Sequence, residues 1–466
     1  MKHPHIAVID IGKTNAKVAL VHANTLSERD VVTQPNIVRP GPPYSHYDVE
    51  SLWAFICEAL ADFHDRHGIG AISITTHGAS GALIAADGTL AAPILDYEHH
   101  GPHSRAVAYD ELRPPFSETG SPRLPMGLNL GAQIDWQFDQ DPGLRDRTEC
   151  VVALPQYWAH RLTGVLASDL SSLGCHTDLW NPYEGKYSSL VDRLGLSGKM
   201  APARRPTDVL GHILPVIARR TGLDPQTPVA CGIHDSNASL LPHINQQSGP
   251  FSVVSSGTWV IVMTVGGRAV QLDPARDTLV NVNALGEPIF SARFMGGREF
   301  EILMQGRAAE CEDAALQEVA AHGPFLMPAQ VRESGPFQGW QPQWIGEEPP
   351  LGSSGRTAAV SFYLAMMTAE CLALTGHTGV ILVEGPLSTN SAYCRMLAAA
   401  TDCRVRAYQS ATGTSLGAAL LVVGQADAVQ PEQVAHDVCP KDQGPFVRFV
   451  TTWRQELAQR QAGPGN

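Results

Sequence analysis

The sequence lacks a CxxC pair, an excess of basic charge and any apolar run of about 18 residues. Its nine cysteines lie among apolar neighbours, so we expect buried, reduced thiols rather than disulfides or a zinc site. The short apolar runs predict no transmembrane helix, and the net charge of −13 argues against nucleic acid or an anionic membrane as the main partner. The first residues lead into a strand without an apolar leader, which predicts a cytoplasmic protein.

Length and composition predict a folded chain with two hydrophobic cores. Apolar residues make up 44% of the 466 positions, and a chain of this length exceeds what one core usually holds. Strand-like apolar runs alternate with amphipathic helical patterns, which favours an α/β fold. The stretch Pro242–Pro250 is polar and contains glycine and proline. We therefore predict one domain over 1–246 and a second over 247–466.

Two apolar runs near the start of the chain, Ile6–Ile9 and Lys17–Val21, predict a β-hairpin. Its turn, residues 12–15, contains glycine, lysine, threonine and asparagine, and backbone N–H groups in such a turn can cradle phosphate oxygens. Asp10 at the strand end could hold a hydrated Mg²⁺, and Lys17 adds a cation. The alternative is an ordinary turn capped by its own polar side chains.

A second hairpin of the same kind opens the second half. Phe251–Val254 and Val260–Met263 flank the polar turn Ser255–Thr258, which again combines hydroxyls with a glycine. Two phosphate-type turns at the openings of two halves suggest an internal duplication, although the identity between the halves is low.

Helical spacing is clearest over Leu52–Phe63, where Asp48 is a candidate N-cap and Gly68 marks the end. Further strands and helices are predicted along the chain. They are the strands Ala71–Thr75 and Val380–Val383 and the helices Thr357–Leu374, Ser391–Ala400 and Ser415–Val423.

Asp235 follows the apolar run Val229–Cys231 and opens a helical segment. Ligands of α/β sheets bind at the carboxyl ends of strands, and a carboxylate there can accept a proton from a hydroxyl during phosphoryl transfer. The alternative role of Asp235 is that of an N-cap for the helix that follows.

The segment Glu98–His103 contains three histidines and a glutamate, which could bind a metal and would suit a hydrolase. Gly101 and Pro102 interrupt the helical spacing that metal ligands at i and i+4 require. A polar loop that faces solvent or a sugar is the other interpretation.

These motifs, in this order, resemble the FGGY carbohydrate kinases of the actin, hexokinase and Hsp70 superfamily over nearly the whole chain. Asp10–Lys17 and Ser256–Thr258 look like the two phosphate motifs of the family, and Gly385–Asn390 stands where the adenosine motif belongs. Ala411–Ala419 resembles the start of the last conserved helix. Asp235 falls on the position of the catalytic base.

Within the family, several segments are closer to L-fuculose and L-rhamnulose kinases than to glycerol or xylulose kinases. They are Thr75–Leu83, His160–Gly164, Gly232–Ser236 and Ser255–Trp259. Two positions depart from the pattern. Ser80 stands where the subgroup usually has an aspartate that contacts the sugar, and Pro386 lies inside the adenosine loop, where it removes an N–H group.

The resemblance implies two actin-like (ribonuclease H-like) α/β domains with a nucleotide and sugar cleft between them. It also implies a set of site residues. Nucleotide contacts would come from Gly12, Lys13, Thr14, Asn15, Lys17, Ser256, Gly257, Thr258, Gly385, Asn390 and Gly413. Sugar contacts would come from His77, Gly78, Asp96 and His234. Mg²⁺ would be held by Asp10 and Asp235, and Asp235 would also be the catalytic base.

The activity implied is ATP-dependent phosphorylation of a ketose hydroxyl, with a deoxyketohexose or a pentulose as the sugar. A polyol kinase is an alternative substrate class, and a homodimer would be common for the family. A nucleotide-binding sugar sensor without turnover and a metal hydrolase built on Glu98–His103 are alternatives of other classes.

Overall fold

The computed structural model describes residues 3–408, 413–423, 435–440 and 444–462. The chain forms two compact units. The first contains Met1–Gln246 together with the described residues of Val280–Pro288 and Thr412–Pro431, and the remaining described residues form the second. The sequence placed both of those later segments in the second domain.

Up to residue 246 the chain forms a large sheet, several two-stranded sheets and ten helices, counted over the described residues. The strands are β1 (His5–Ile11), β2 (Asn15–His22), β3 (Glu28–Pro35), β4 (Val38–Arg39), β5 (His46–Tyr47), β6 (Ala71–Thr76), β7 (Gly81–Ile84), β8 (Cys150–Ala153), β9 (Ser168–Asp169), β10 (Trp180–Asn181), β11 (Lys186–Tyr187), β12 (Ala203–Arg204), β13 (Val209–His212), β14 (Pro228–Ala230) and β15 (Ile233–His234). The helices are α1 (Val49–His67), α2 (Ala106–Leu112), α3 (Phe116–Thr119), α4 (Leu130–Gln140), α5 (Leu144–Arg147), α6 (Leu154–Thr163), α7 (Leu170–Leu173), α8 (Leu190–Arg193), α9 (Pro215–Thr221) and α10 (Asp235–Gln246).

Beyond residue 246 the strands and helices again alternate. The strands are β16 (Phe251–Ser256), β17 (Val260–Val265), β18 (Thr278–Val282), β19 (Pro288–Phe294), β20 (Phe325–Met327), β21 (Gln343–Ile345), β22 (Val380–Glu384), β23 (Val405–Tyr408) and β24 (Ala435–Val438). The helices are α11 (Gly296–Met304), α12 (Asp313–His322), α13 (Ser354–Leu374), α14 (Ser391–Thr401), α15 (Thr414–Val423) and α16 (Gly444–Ala462).

The two large sheets share one arrangement. In the first the order is β13-β14-β6-β1-β2-β3, with β15 also paired to β6. In the second it is β18-β19-β17-β16-β22-β23-β24. Each sheet contains an antiparallel hairpin, β1–β2 in the first sheet and β16–β17 in the second. The first strand of each hairpin also pairs with a parallel strand, β1 with β6 and β16 with β22. The common order supports the internal duplication that the two turns suggested.

Several elements confirm the predictions from periodicity. Both hairpins form where the apolar runs indicated, and α1 contains the predicted segment Leu52–Phe63. Asp48 caps α1 by accepting a hydrogen bond from the N–H of Ser51 at 3.3 Å, and the helix ends at Gly68. The strand β1 runs one residue past Asp10, to Ile11, so Asp10 lies inside the strand rather than at its end.

Helix α13 is the central helix of the second core. It is long and apolar enough to cross a membrane by length and composition alone, but 83% of its apolar window is buried inside the protein. Phe362, Tyr363 and Met366 of this helix pack with Phe446 and Phe449 of α16 in one buried cluster. This burial is the environment of a core helix.

Helix α15 packs in the first unit although it follows the last parallel strand of the second. Its Ala418 and Leu420 share a buried cluster with Ile6 and Val8 of β1. Ser73 Oγ in β6 donates a hydrogen bond to the carbonyl of Ala418 at 2.6 Å. A Cβ atom at Gly417 would lie 1.7 Å from the carbonyl oxygen of Ala238 in α10, so only glycine allows these two helices to approach so closely.

Candidate active site

Asp10 is the acidic residue of the first hairpin and pairs across it with Lys17. Lys17 Nζ lies 3.6 Å from Asp10 Oδ2, and Thr414 at the start of α15 donates a hydrogen bond to the same oxygen. Burial raises the pKa of Asp10 above its usual value, and the charge of Asp235 adds to the rise, against the opposing effects of Thr414 and Lys17. Asp10 and Asp235 are therefore close enough to repel each other.

Asp235 is the first residue of α10, as the sequence predicted, and its side chain is 32% exposed. Its Oδ1 accepts a hydrogen bond from the backbone N–H of Ser236 at 2.6 Å. His234 Nε2 lies 3.3 Å from the same oxygen. The carboxylate is thus held by the start of the helix while part of it stays accessible, which is what a proton acceptor for a ligand hydroxyl requires.

The turn between β1 and β2 is closed by backbone hydrogen bonds. The N–H of Gly12 donates to the carbonyl of Asn15 at 2.9 Å, and Asn36 contacts both sides of the turn through Gly12 O and Thr14 O. Thr14 and Asn15 are exposed, so their polar groups face outward from the sheet. The turn is therefore held by its own backbone and by Asn36, with Thr14 and Asn15 accessible at its tip.

His77 and Gly78 follow β6, next to the end of β1. The N–H of His77 donates to the carbonyl of Ile11, and His77 Nδ1 is bonded to the carbonyl of Gly78 at 2.8 Å. Burial lowers the pKa of His77. Its Nε2 is buried and has no hydrogen-bond partner among the described residues. The neutral ring thus donates through Nδ1 and leaves Nε2 as a bare acceptor.

His234 lies over Gly78, where a Cβ atom would be only 2.7 Å from His234 Nε2. Cys175 Sγ is 3.4 Å from the same nitrogen. Burial disfavours the charged form of His234, but the charges of Cys175 and Asp235 raise its pKa above the usual value. Burial likewise opposes the charged thiolate, while His176 and His234 lower the pKa of Cys175. The two groups thus shift each other's pKa, since Cys175 raises that of His234 and His234 lowers that of Cys175.

The sequence analysis did not identify Cys175 as a site residue. Its apolar neighbour Gly174 and the absence of a second cysteine nearby in the sequence left only the general expectation of a buried thiol. The pairing with His234 bridges 59 positions of the chain, and no spacing pattern indicates it.

An ion pair with Lys13 connects Asp96 to the turn between β1 and β2. Lys13 Nζ makes an ion pair with Asp96 Oδ1 and a second one with Glu98 Oε2 at 3.3 Å. Tyr47 donates a hydrogen bond from its hydroxyl to Asp96 Oδ1 at 3.3 Å. Lys13 was predicted as a nucleotide contact, but it lies beside Asp96, which was predicted as a sugar contact.

The segment Glu98–His103 leads into a 3₁₀ turn at Gly101–Arg105. Over the described parts of the chain, no group of three or more histidine, cysteine, aspartate or glutamate residues is placed to hold a metal ion. Glu98 is engaged with Lys13, and His99 packs against Trp136 with ring centroids 5.1 Å apart.

In the second unit, Ser256 connects the second turn to the adenosine-type loop. Its Oγ donates to the carbonyl of Glu384 at 2.5 Å and accepts from the N–H of Leu387 at 3.0 Å. Gly385 has a φ of 78°, and a Cβ there would lie 2.0 Å from the carbonyl oxygen of Ser256. Glycine is thus required at 385 both by the backbone conformation and by the close approach of the turn.

Gly257 and Thr258 at the tip of the second turn are exposed. Behind them lies the start of α11, which the sequence analysis missed. A Cβ atom at Gly297 would lie 2.1 Å from the carbonyl oxygen of Gly257, and the N–H of Arg298 donates to Thr258 O at 3.3 Å. The consecutive glycines Gly296 and Gly297 at a helix start were a signal that could have drawn attention to this contact.

Asn390 has a structural role in the second unit. Its Oδ1 accepts a hydrogen bond from the N–H of Tyr393 as the N-cap of α14, and its Nδ2 donates to Ser361 Oγ at 2.9 Å. Next to this loop is a pocket of about 650 Å³ lined by residues of the loop, of α14 and of β23 and β24, Ser388, Thr389, Arg395, Ala407 and Asp437 among them.

Gly413 directly precedes α15 and is exposed. Ala411 and Thr412, the first residues of the predicted motif Ala411–Ala419, lie outside the described residues. The predicted site residues therefore fall into two groups. The first unit contains Asp10, Lys13, Lys17, His77, Gly78, Asp96, His234 and Asp235. The second unit contains Ser256, Gly257, Thr258, Gly385 and Asn390.

The donor set at Asp10 and Asp235 fits a hydrated Mg²⁺. Mg²⁺ is usually held through one or two protein carboxylates, with water and substrate phosphates completing its coordination. Two carboxylates that repel each other are stabilised by a divalent cation between them.

Comparison with known proteins finds matches to both halves of the chain. Residues 5–242 match the model of the N-terminal domain of the FGGY family of carbohydrate kinases, and residues 241–431 match the model of the C-terminal domain of FGGY carbohydrate kinases. A solved structure of a carbohydrate kinase from Novosphingobium aromaticivorans is 34% identical, with a TM-score of 0.91 over 99% of this chain and 100% of that one.

More distant proteins share the fold. A ligand-bound xylulose kinase from Lactobacillus acidophilus superposes with a TM-score of 0.77 at 15% identity, over 98% of this chain and 99% of that one. The L-fuculokinase of Salmonella typhi is 26% identical over 281 residues, which is 58% of each chain. The chain thus spans little more than half the length of this curated relative.

Proposed function

The chain belongs to the FGGY family of carbohydrate kinases, with the two actin-like α/β domains of that family, and on this basis we propose that it transfers a phosphoryl group from ATP to a hydroxyl of a ketose. The sugar in this proposal is a deoxyketohexose or a pentulose. The observation that carries the proposal is the partly exposed carboxylate of Asp235 at the start of α10, beside the partly buried Asp10 and the sugar candidates His77 and His234.

In the proposed reaction Asp235 accepts the proton of the attacking hydroxyl. Its Oδ1 is fixed by Ser236 N–H, which leaves Oδ2 for the proton. His234 Nε2, 3.3 Å from Asp235 Oδ1, contacts the same carboxylate and would help to orient it. General base catalysis of this kind contributes about 10²- to 10⁴-fold to the rate.

Asp10 and Asp235 would hold Mg²⁺, which supplies positive charge to the phosphate oxygens. Lys17, 3.6 Å from Asp10, is in place to bind an oxygen of the same phosphate chain. The turn of Gly12, Thr14 and Asn15 would contribute backbone N–H groups to the phosphates.

In the second unit, the proposed nucleotide contacts are the turn of Ser256, Gly257 and Thr258 and the loop from Gly385 to Asn390. Because Ser256 is bonded to Glu384 just before that loop and to Leu387 within it, the turn and the start of the loop are held together. Gly413 before α15 completes the proposed set. The pocket of about 650 Å³ beside the loop offers room for a base or ribose.

One feature bears on which sugar is bound. Ser80, where L-fuculose and L-rhamnulose kinases usually have an aspartate, is buried beside the hydroxyl of Tyr47. A hydroxyl in this place can bind one sugar oxygen. It has no second oxygen with which to bind a neighbouring hydroxyl, as a carboxylate does. This favours a sugar other than fuculose or rhamnulose, and a polyol is a second substrate class.

The test is ADP release from Mg-ATP with a panel of L-fuculose, L-rhamnulose, the four pentuloses, glycerol, erythritol and D-gluconate. A kinase releases ADP at a stimulated rate with one or more neutral members of the panel. Binding of a sugar, seen as a thermal shift, without ADP release from the wild type would instead indicate a sensor. Release of phosphate without any sugar would indicate a hydrolase. The cytoplasmic location and a homodimer stay predictions.

A further inference from the structure

We propose that Lys13 binds the sugar rather than the nucleotide, and that it restricts the substrate to neutral ketoses and polyols. This inference rests on the proposed function and assigns one more residue to its sugar site. The sequence motif places Lys13 among phosphate-binding residues, whereas its ammonium group lies among the sugar candidates.

The contacts of Lys13 Nζ carry the first step. The side chain is only 16% exposed and reaches away from Lys17 to the carboxylates of Asp96 and Glu98. An ammonium group has three N–H donors, and these two carboxylates take two of them. One N–H therefore remains for an oxygen atom of a ligand beside Asp96.

Two tyrosine rings connect Lys13 to His77. Lys13 Nζ lies 5.3 Å from the centre of the Tyr47 ring and 5.1 Å from that of Tyr97. His77 packs against the same two rings, with centroid distances of 5.3 Å and 5.4 Å. The ammonium group and the imidazole thus share one aromatic wall.

His77 supplies the second observation that points to a ligand. The residue is only 6% exposed, and its Nε2 has no partner in the described part of the chain. A buried acceptor without a donor destabilises the folded protein unless a ligand satisfies it. A sugar hydroxyl can donate to His77 Nε2 while a neighbouring oxygen accepts from Lys13.

Charge decides the class of sugar. The positive charge of Lys13 is more than offset by Asp96 and Glu98, and Asp235 acts on both His77 and Tyr97. A sugar acid would bring a further negative charge to these carboxylates, and their neighbour Lys13 is already paired with Asp96 and Glu98. Hydroxyl and carbonyl oxygens need only the donor and acceptors described above.

Lys17 gives a matched control four positions along the chain. Its Nζ is near Asp10 and Glu28, at 3.6 and 3.5 Å, and not near Asp96. Substitution of either lysine by methionine keeps a flexible chain of similar length and removes the charge. K13M and K17M therefore differ only in which part of the site loses a cation.

The experiment measures two quantities for the wild type, K13M and K17M. One is the Kd for Mg-ADP by isothermal titration, which needs no sugar. The other is the KM for the sugar that gives turnover in the panel. We expect K13M to raise the sugar KM about 10- to 100-fold and to leave the Kd for Mg-ADP within about twofold, and K17M to do the reverse.

A loss of Mg-ADP affinity in K13M as large as that in K17M, or an unchanged sugar KM, overturns the assignment. Wild-type turnover with D-gluconate in preference to every neutral sugar overturns the substrate class. If the wild type phosphorylates no sugar, the proposed function fails, and the thermal shift by each sugar, compared between the wild type and K13M, still decides the role of Lys13. If K13M does not fold, the double variant K13M/D96N takes its place, because it also removes the carboxylate that K13M leaves without a cation. Its Kd for Mg-ADP, compared with that of the wild type, then decides whether Lys13 contributes to nucleotide binding.

Discussion

The hydroxyl of Thr414 donates a hydrogen bond to the carboxylate of Asp10, although 404 positions separate the two residues in the chain. Both belong to the first unit, because α15 packs on β1, β6 and α10 there. The start of α15 therefore orients one of the two carboxylates proposed to hold Mg²⁺.

From this contact we predict the effect of T414V. The substitution keeps the shape of the side chain and removes the hydroxyl, so Asp10 loses an oriented partner. We expect the concentration of Mg²⁺ at half-maximal activity to rise about 3- to 10-fold. Binding of Mn²⁺ in the presence of ADP, followed by electron paramagnetic resonance, should weaken equally. T414S keeps the hydroxyl and should resemble the wild type, and equal metal affinity in T414V and T414S would contradict the role.

The second prediction concerns Asp235. D235N keeps the shape of the side chain and can still accept the hydrogen bond of Ser236 N–H, so the fold should survive. The loss of proton acceptance should lower kcat by about 10²- to 10⁴-fold at saturating sugar and Mg-ATP.

D48N is the control for D235N, because Asp48 also accepts from a backbone N–H at a helix start but caps α1. It should lower Tm slightly and leave kcat nearly unchanged. A D235N enzyme with kcat within a few-fold of the wild type and a lowered Tm would show that Asp235 is only a helix cap.

The third prediction concerns Gly297. In G297A the new methyl group would start 2.1 Å from the carbonyl oxygen of Gly257, so the second turn must move. We expect kcat/KM for ATP to fall about 10- to 100-fold, because small displacements in a phosphate site are costly. G355A places alanine in another helix where no atom lies within 4 Å of the new carbon. Its kinetics should equal those of the wild type, and equal kinetics in G297A would separate α11 from nucleotide binding.

The fourth prediction is a pH dependence of stability at Glu299. Burial raises the pKa of this residue from 4.5 to about 7, although Val331 N–H and Tyr363 O–H both donate to it. The folded state thus binds the proton more tightly than the unfolded state. This stabilisation is complete below pH 4.5 and is lost as the pH rises through 7, by up to about 3 kcal/mol.

E299Q removes that titration and should flatten the fall of Tm between pH 4.5 and 7 relative to the wild type. The matched control is E301Q on the same helix, where the side chain is 69% exposed and pairs with Arg298 at the surface. Melting curves from pH 4.5 to 8 compare the three proteins. The same pH profile for E299Q and the wild type would show that Glu299 does not titrate in this range.

The sequence predicted the parts of the fold that depend on local periodicity and turn chemistry. The hairpin at 5–22, the helix after Asp48 and the position of Asp235 at the start of a helix are examples. Each follows from residues within one turn or one strand of each other, where side-chain spacing alone decides which face is buried.

The pairing of distant side chains was not predictable from one sequence. Lys13 and Asp96 are 83 positions apart, and the motif around Lys13 indicated a phosphate contact instead. Cys175 and His234 meet because a loop and a strand end lie against Gly78, which no local pattern encodes. Asn390 was predicted from the position of a family motif, and its role as the N-cap of α14 became evident only from its partners.

The packing of α15 sets a limit on how the gene could be divided. A fragment that ends at Gln246 would carry β1, β6 and α10 but not the helix that covers Ile6, Val8 and Leu241. It would also lack Val282, which packs on Leu173 and Trp180. Such a fragment would expose apolar surface and aggregate, whereas adding separate peptides with residues 280–288 and 412–431 should restore solubility by complementation. Circular permutation with new ends in the loop 266–273 keeps every such segment in one polypeptide.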